Sequence, residues 1–181
     1  TDTRRSLVSA VSRIKSSDSL RFLMSNVDID DIAVRQEVIR ALAQNRFVAS
    51  SREDRERIEG LAQKEAERAM ETLSQVRDLE GSDEADVLGR ALLGSHRNTR
   101  ERLLILLGFT RDPKALLAVR TNIDSVHKAR RAYAEEILDV VLSREERAFF
   151  LPAIEGIKEK IPPEATRPGS ESAAADRVKA V

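Results

Sequence analysis

Two stretches of this chain carry the same pattern of apolar, amide and carboxylate residues, and the pattern is that of a helical hairpin. One runs Leu20, Leu23, Val27, then Val34-Arg35, Val38-Ile39 and Leu42; the other runs Leu116, Val119, Ile123, then Ala129-Arg130, Tyr133-Ala134 and Ile137. In each, a short helix closes on an Asn-apolar-Asp turn, Asn26-Val27-Asp28 or Asn122-Ile123-Asp124. A longer helix follows, with an arginine near its start and apolar pairs spaced by four. The arginine-bearing helices are offset by 95 residues and the turns by 96, about two periods of a repeat of roughly 40–47 residues. A hairpin of that size buries its apolar face only by stacking on neighbours, so the repetition predicts an all-α stack of antiparallel hairpins. Such a stack offers an extended surface, which points to binding rather than to catalysis.

Composition agrees with helices. Aromatic residues are 3% of the 181, while Leu, Ala, Arg and Glu recur throughout, a usage suited to an aliphatic helical core and not to a β-sandwich. The length suits one domain with a continuous core. Thirty-one basic residues balance thirty-one acidic ones, so total charge gives no net pull toward nucleic acid or anionic lipid. The distribution is uneven: Arg52 to Asp86 holds twelve acidic and six basic residues, whereas Arg97 to Arg131 holds nine Lys or Arg and three acidic. Cysteine is absent, which removes disulfide and thiol chemistry and agrees with a reducing cytosol. The longest apolar run, Leu103 to Leu107, falls far short of the roughly 20 residues that span a bilayer. The amino end leads straight into an amphipathic pattern with no signal peptide, and the abrupt ends suit a piece of something larger.

Stripes and caps place the elements. Leu7, Val8, Val11 and Ile14 mark a helix at about 3–15, and Ser17-Asp18-Ser19 caps the next at about 18–26. Asp30 and Asp31 open a helix that runs to about Asn45. Ser51 with Asp54 reads as a capping box before Ile58, Ala62, Ala66, Ala69, Leu73 and Val76, a stripe that carries a long helix to Leu79, with Gly81 as its stop. From Ser82 two helices are expected with a break near Ser95-His96-Arg97-Asn98, one unbroken helix being the alternative; Gly108 ends this region. Asp112-Pro113 starts a helix at about 113–122, and another follows at 126–142. Ser143 and Glu146 form a capping box; Pro152 is expected to interrupt that helix and leave a last one at about 153–160. The domain is thus read as 1–161, with 162–181 a mobile tail or linker poor in apolar residues.

Three strings carry a resemblance: Arg102-Leu103-Leu104-Ile105-Leu106-Leu107-Gly108, Ala134-Glu135-Glu136-Ile137-Leu138-Asp139, and Leu151-Pro152-Ala153-Ile154-Glu155. With them the stretch Thr99 to Glu155 resembles the HEAT-like helical region found behind the transmembrane part of bacterial ADP/ATP-translocase-like proteins, while residues 1–98 resemble it only as generic helical repeats. The resemblance implies a HEAT-like α-α superhelix and a cytoplasmic regulatory or docking module, tethered to the membrane through a larger polypeptide. It carries no transport residue to this chain, because such residues would lie in membrane helices. The long acidic helix at 51–79 departs from a regular HEAT unit, which leaves the repeat register there open. An arginine in the place of Arg35 and Arg130 resembles a structural element that bridges to an acidic group or carbonyl at the turn of a neighbouring repeat.

No constellation here supports an enzyme or a cofactor. His96 and His127 are the only histidines and neither sits in a zinc pattern, and Gly89 to Gly94 lacks the lysine of a phosphate loop. Arg97, Arg100, Arg102, Arg111, Lys128, Arg130 and Arg131 are instead the candidate partner-binding residues, if their helices align them on one basic face. The competing reading is a solvated face paired with nearby carboxylates. Leu106 and Leu138 are expected in the core shared by neighbouring hairpins. The function expected is a non-enzymatic scaffold for a protein partner or for other domains of the same polypeptide. The alternative is a nucleic-acid-binding HEAT-like domain, disfavoured by the neutral charge and few aromatics; an accessory related to repeat-containing chromophore lyases is a third class.

Overall fold

A computed structural model describes residues 2–79 and 85–156. Among these are eight α-helices and no strand: α1 (Asp2–Ser12), α2 (Ser17–Ser25), α3 (Ile32–Gln44), α4 (Arg52–Asp78), α5 (Ala85–Thr110), α6 (Pro113–Asn122), α7 (Lys128–Val141) and α8 (Arg144–Glu155). The start signals act through the orphan amides of the first turn. Asp31 accepts from the Ala33 and Val34 amides, Ser51 from Asp54, and Asp112 from Lys114 with Pro113 at the first helical position. Ser143 and Glu146 form the reciprocal capping box. At α2 the cap is Ser16, one residue before the predicted cluster, because its hydroxyl is the one that reaches the Ser19 amide.

The helix α3 ends in a six-to-one turn. Phe47 N donates to Leu42 O and Arg46 N to Ala43 O, with Arg46 in the left-handed region at φ 55°. This turn delivers Phe47 edge-on to Phe109, with centroids 5.4 Å apart, and Ala49 N then donates to Phe109 O at 2.8 Å. The loop before α4 is thereby stapled to the far end of α5.

One contiguous core runs from Val8 to Ile154. Its centre is the α4–α5 pair, the most extensive packing in the molecule. The α4 stripe of Ile58, Ala62, Ala66 and Ala69 is fully buried, and its small residues let α5 approach with Leu103, Leu104, Leu106 and Leu107, also fully buried. On one side α3 packs on α5, with α1 and α2 outside it; on the other α6 packs on α5 and α7 on α6. Helix α8 does not continue that series but returns to pack on α4 and α5.

Three expectations change. Helix α5 is unbroken through Ser95–Asn98: the His96 ring is buried and bonds Ala153 O at 3.0 Å, Thr99 Oγ1 donates to Ser95 O at 3.0 Å, and Ser95, Arg97 and Asn98 are exposed to solvent. It also passes Gly108, beside which Pro113 and Leu116 of α6 pack, and ends at Thr110. Helix α8 runs through Pro152 to Glu155, since Phe150, Ala153 and Ile154 are buried on both sides of the proline and hold the last turn against its lost amide. The expected stop at Gly81, the start at Ser82 and the region from 157 onward, including the tail at 162–181, lie outside the described residues.

Candidate functional site

The two Asn-apolar-Asp turns are built alike. Asn26 Nδ2 donates to Phe22 O and Asn122 Nδ2 to Ala118 O, each at 2.8 Å, so each asparagine caps a carbonyl four residues back. The aspartate then receives an arginine from a long helix. Arg57 of α4 bonds Asp28 at 2.7 Å, and Arg100 of α5 bonds Asp124. Arg57 also donates to Ser25 O, and Arg100 to Ile154 O at 3.4 Å. Arg57 holds the Asp28 carboxyl below the usual carboxylate range by hydrogen bonding, against the opposing effect of burial. The arginine of the second clasp is the more buried, with the Arg100 side chain 9% exposed against 36% for Arg57.

Beside the second clasp, α5 and α6 enclose a groove of about 300 Å³. Its apolar wall is Leu104, Leu117 and Ile123, and its charged wall is Arg97, Arg100, Arg120, Glu101 and Asp124. Both acids are engaged: Asp124 by Arg100, and Glu101 by Arg120 at 2.8 Å and by Arg40 at 3.6 Å. Arg97 is exposed and makes no ion pair or hydrogen bond with any described residue. Arg120 Nε is buried without an acceptor. Leu117 presents 56% of its surface to solvent. The groove thus combines a surplus of guanidinium donors with an aliphatic floor. A more open depression along α1 involves Arg5 and Glu37, which pair with each other at 3.7 Å.

The predicted basic residues do not share one face. Arg97 and Arg100 line the groove. Arg102 is 5% exposed and is spent inside the protein, donating from Nε to Glu65 Oε2 at 2.9 Å with its Nη2 in ion-pair contact with the same oxygen at 2.8 Å. Arg111 is tied to Glu146 and Thr110. Burial alone would raise the Glu146 carboxyl, but the Ser143 amide and Arg111 outweigh it and hold the group below its ordinary range. Lys128, Arg130 and Arg131 are exposed at the start of α7. There Arg131, not Arg130, bridges to the turn, donating to Ser125 O at 2.7 Å and Val126 O at 3.1 Å. Arg35 and Arg130 therefore differ: Arg35 is 4% exposed and faces Glu65 at 3.7 Å, whereas Arg130 lies on the open side of α7. The reason is packing, since α3 is covered by α5 while α7 packs on α6 alone among the major contacts. Leu106 and Leu138 are both fully buried in the core.

Sequence reasoning passed over Glu65 and Arg120. The signal for Glu65 was present: it falls one position before Ala66, on the buried side of the α4 stripe, where a carboxylate needs a partner. His96 is 3% exposed. Its burial lowers the imidazole pKa, and since a carbonyl only accepts, the ring donates from Nε2 to Ala153 O as the neutral tautomer. Among the described residues no three His, Asp or Glu side chains gather as metal ligands, and no helix is long and apolar enough to cross a membrane. No protein-family model, curated protein or solved structure matches the chain.

Proposed function

We propose that the chain is a HEAT-like helical-repeat module acting as a non-enzymatic scaffold, and that the α5–α6 groove takes an acidic, aliphatic-bearing segment of a partner protein. The observation that carries this is the unmatched guanidinium chemistry of the groove: among the described residues Arg97 has no acid and Arg120 Nε no acceptor, beside the exposed Leu117. A carboxylate on the partner would meet the arginines, and a neighbouring Leu or Val would cover the floor. Rim charge of this kind steers association and rejects wrong partners more than it adds affinity. The resemblance to the region behind the membrane part of translocase-like proteins makes a docking module of a larger, membrane-tethered, cytoplasmic polypeptide the form of scaffold we favour.

The test is peptide display against the intact chain, followed by binding measured on synthetic peptides. Selected sequences should pair Glu or Asp with an aliphatic residue, and Arg97→Glu should weaken them by about tenfold or more without unfolding the protein. Duplex DNA is titrated alongside at several salt concentrations. Tight DNA binding that falls steeply with salt, with no peptide selected, would replace the protein-scaffold reading with the nucleic-acid one.

A further inference from the structure

Away from the groove, Glu65 sits in the middle of α4 with 1% of its surface exposed and faces arginines from three helices. Its Oε2 accepts from Arg102 Nε of α5 at 2.9 Å and lies 2.8 Å from Arg102 Nη2; its Oε1 accepts Arg68 Nη1 at 2.9 Å and lies 3.7 Å from Arg35 Nε of α3. Arg102 is further held by Thr99 Oγ1 at 3.0 Å. One carboxylate thus serves three guanidinium groups. Arg35 is the one left over, because its Nε is buried and makes no hydrogen bond at all. Burial and the charges of Arg68 and Arg102 lower the Arg35 pKa while Glu65 and Asp30 oppose them, yet a guanidinium does not give up its proton at any ordinary pH. A cation held in that position needs a counter-charge. Arg68 opens the cluster to solvent, with 42% of its side chain exposed.

We infer that this cluster binds a small inorganic anion, a halide or an oxyanion, on the Arg35–Arg68 side of Glu65. The anion would accept from Arg35 and from the outer nitrogens of Arg68, and would fasten α3 to α4 through a negative charge additional to that of Glu65. The site is separate from the α5–α6 groove and does not rest on the scaffold reading.

The experiment is the melting temperature of the full chain, titrated with chloride, bromide or phosphate against gluconate at constant ionic strength. Wild type, Arg35→Met and Arg68→Gln are compared. The expected result is a saturable rise of about 3–5 °C for wild type when the anion is near ten times its Kd, absent in Arg35→Met and reduced in Arg68→Gln. The variants remove the general effect of salts on burial from the comparison. A response confined to phosphate identifies an oxyanion site; one shared by chloride and bromide identifies a halide site. No anion-specific rise in wild type overturns the inference and leaves Asp30 or water as the neighbour that satisfies Arg35. An equal rise in all three proteins overturns it too. Should Arg35→Met fail to fold, Arg68→Gln decides alone, an undiminished response counting against the site.

Discussion

The hairpins α2–α3 and α6–α7 begin from one pattern and end in different surroundings. Both close on an Asn-apolar-Asp turn, both asparagines cap a carbonyl four residues back, and both aspartates are gripped by an arginine from a long helix. Their second helices then part ways. In α3, Arg35 is enclosed with Glu65 and Arg102; in α7, Arg130, Tyr133 and Val140 face solvent, the last two 53% and 87% exposed. The turn is a local device written in its own residues, whereas the fate of the arginine is decided by whichever helix packs over it. Equal positions in a repeat are equal only as far as their neighbours are.

The sharpest way to break this comparison is Glu65→Gln. It should destabilise the protein by about 3–5 kcal/mol, because Arg35 and Arg102 would stay buried with the carboxylate that pairs with both removed; chemical denaturation measures it, and a loss under 1 kcal/mol would show that water serves these arginines well enough. Leu106→Ala and Leu138→Ala should each cost about 2–5 kcal/mol, the transfer energy of the lost methyls plus a cavity. A much smaller cost at Leu138 alone would mean that α7 is loosely docked.

Acid should act on the carboxyl-side half through His96. Its folded pKa lies below the ordinary value of about 6.5, so the unfolded chain binds the proton more readily. The His96 contribution is therefore complete above about pH 6.5 and is lost as pH falls through the folded pKa. Stability measured down that range should fall in wild type and fall less in His96→Gln; parallel curves would place the titration elsewhere. The smallest effect is expected at Arg130→Ala, whose denaturation midpoint should match wild type, since nothing described bonds to that side chain.

The fold was legible wherever a cap or a stripe spoke for itself: Asp31, Asp112 and the Ser143–Glu146 box act as their residue types predict, while at Ser51 the hydroxyl caps the Asp54 amide without the reciprocal bond of a box. Misreadings arose where a distant segment completes a local shortfall. Ser95–Asn98 looks like a break until α8 brings Ala153 O to His96, and Pro152 looks like a stop until burial on α4 and α5 holds its helix together. The groove was half legible. Arg97 and Arg100 belong to the basic run that drew attention, but burial of Arg102 against Glu65 depends on how α4 and α5 register, which spacing along one helix does not disclose.

The return of α8 to α4 and α5 bears on how the molecule assembles. Contacts from α1 to α7 join mainly successive helices, the low-separation pairings that form early and fast. The bonds from His96 to Ala153 and from Arg100 to Ile154 span 57 and 54 positions, and closing such a loop costs chain entropy before any contact rewards it. Helix α8 should therefore settle late, after α4 and α5 have paired. Its amides should exchange with solvent by a subglobal opening that leaves α4 and α5 paired, and a chain caught in that opening would expose the apolar seam that α8 otherwise covers.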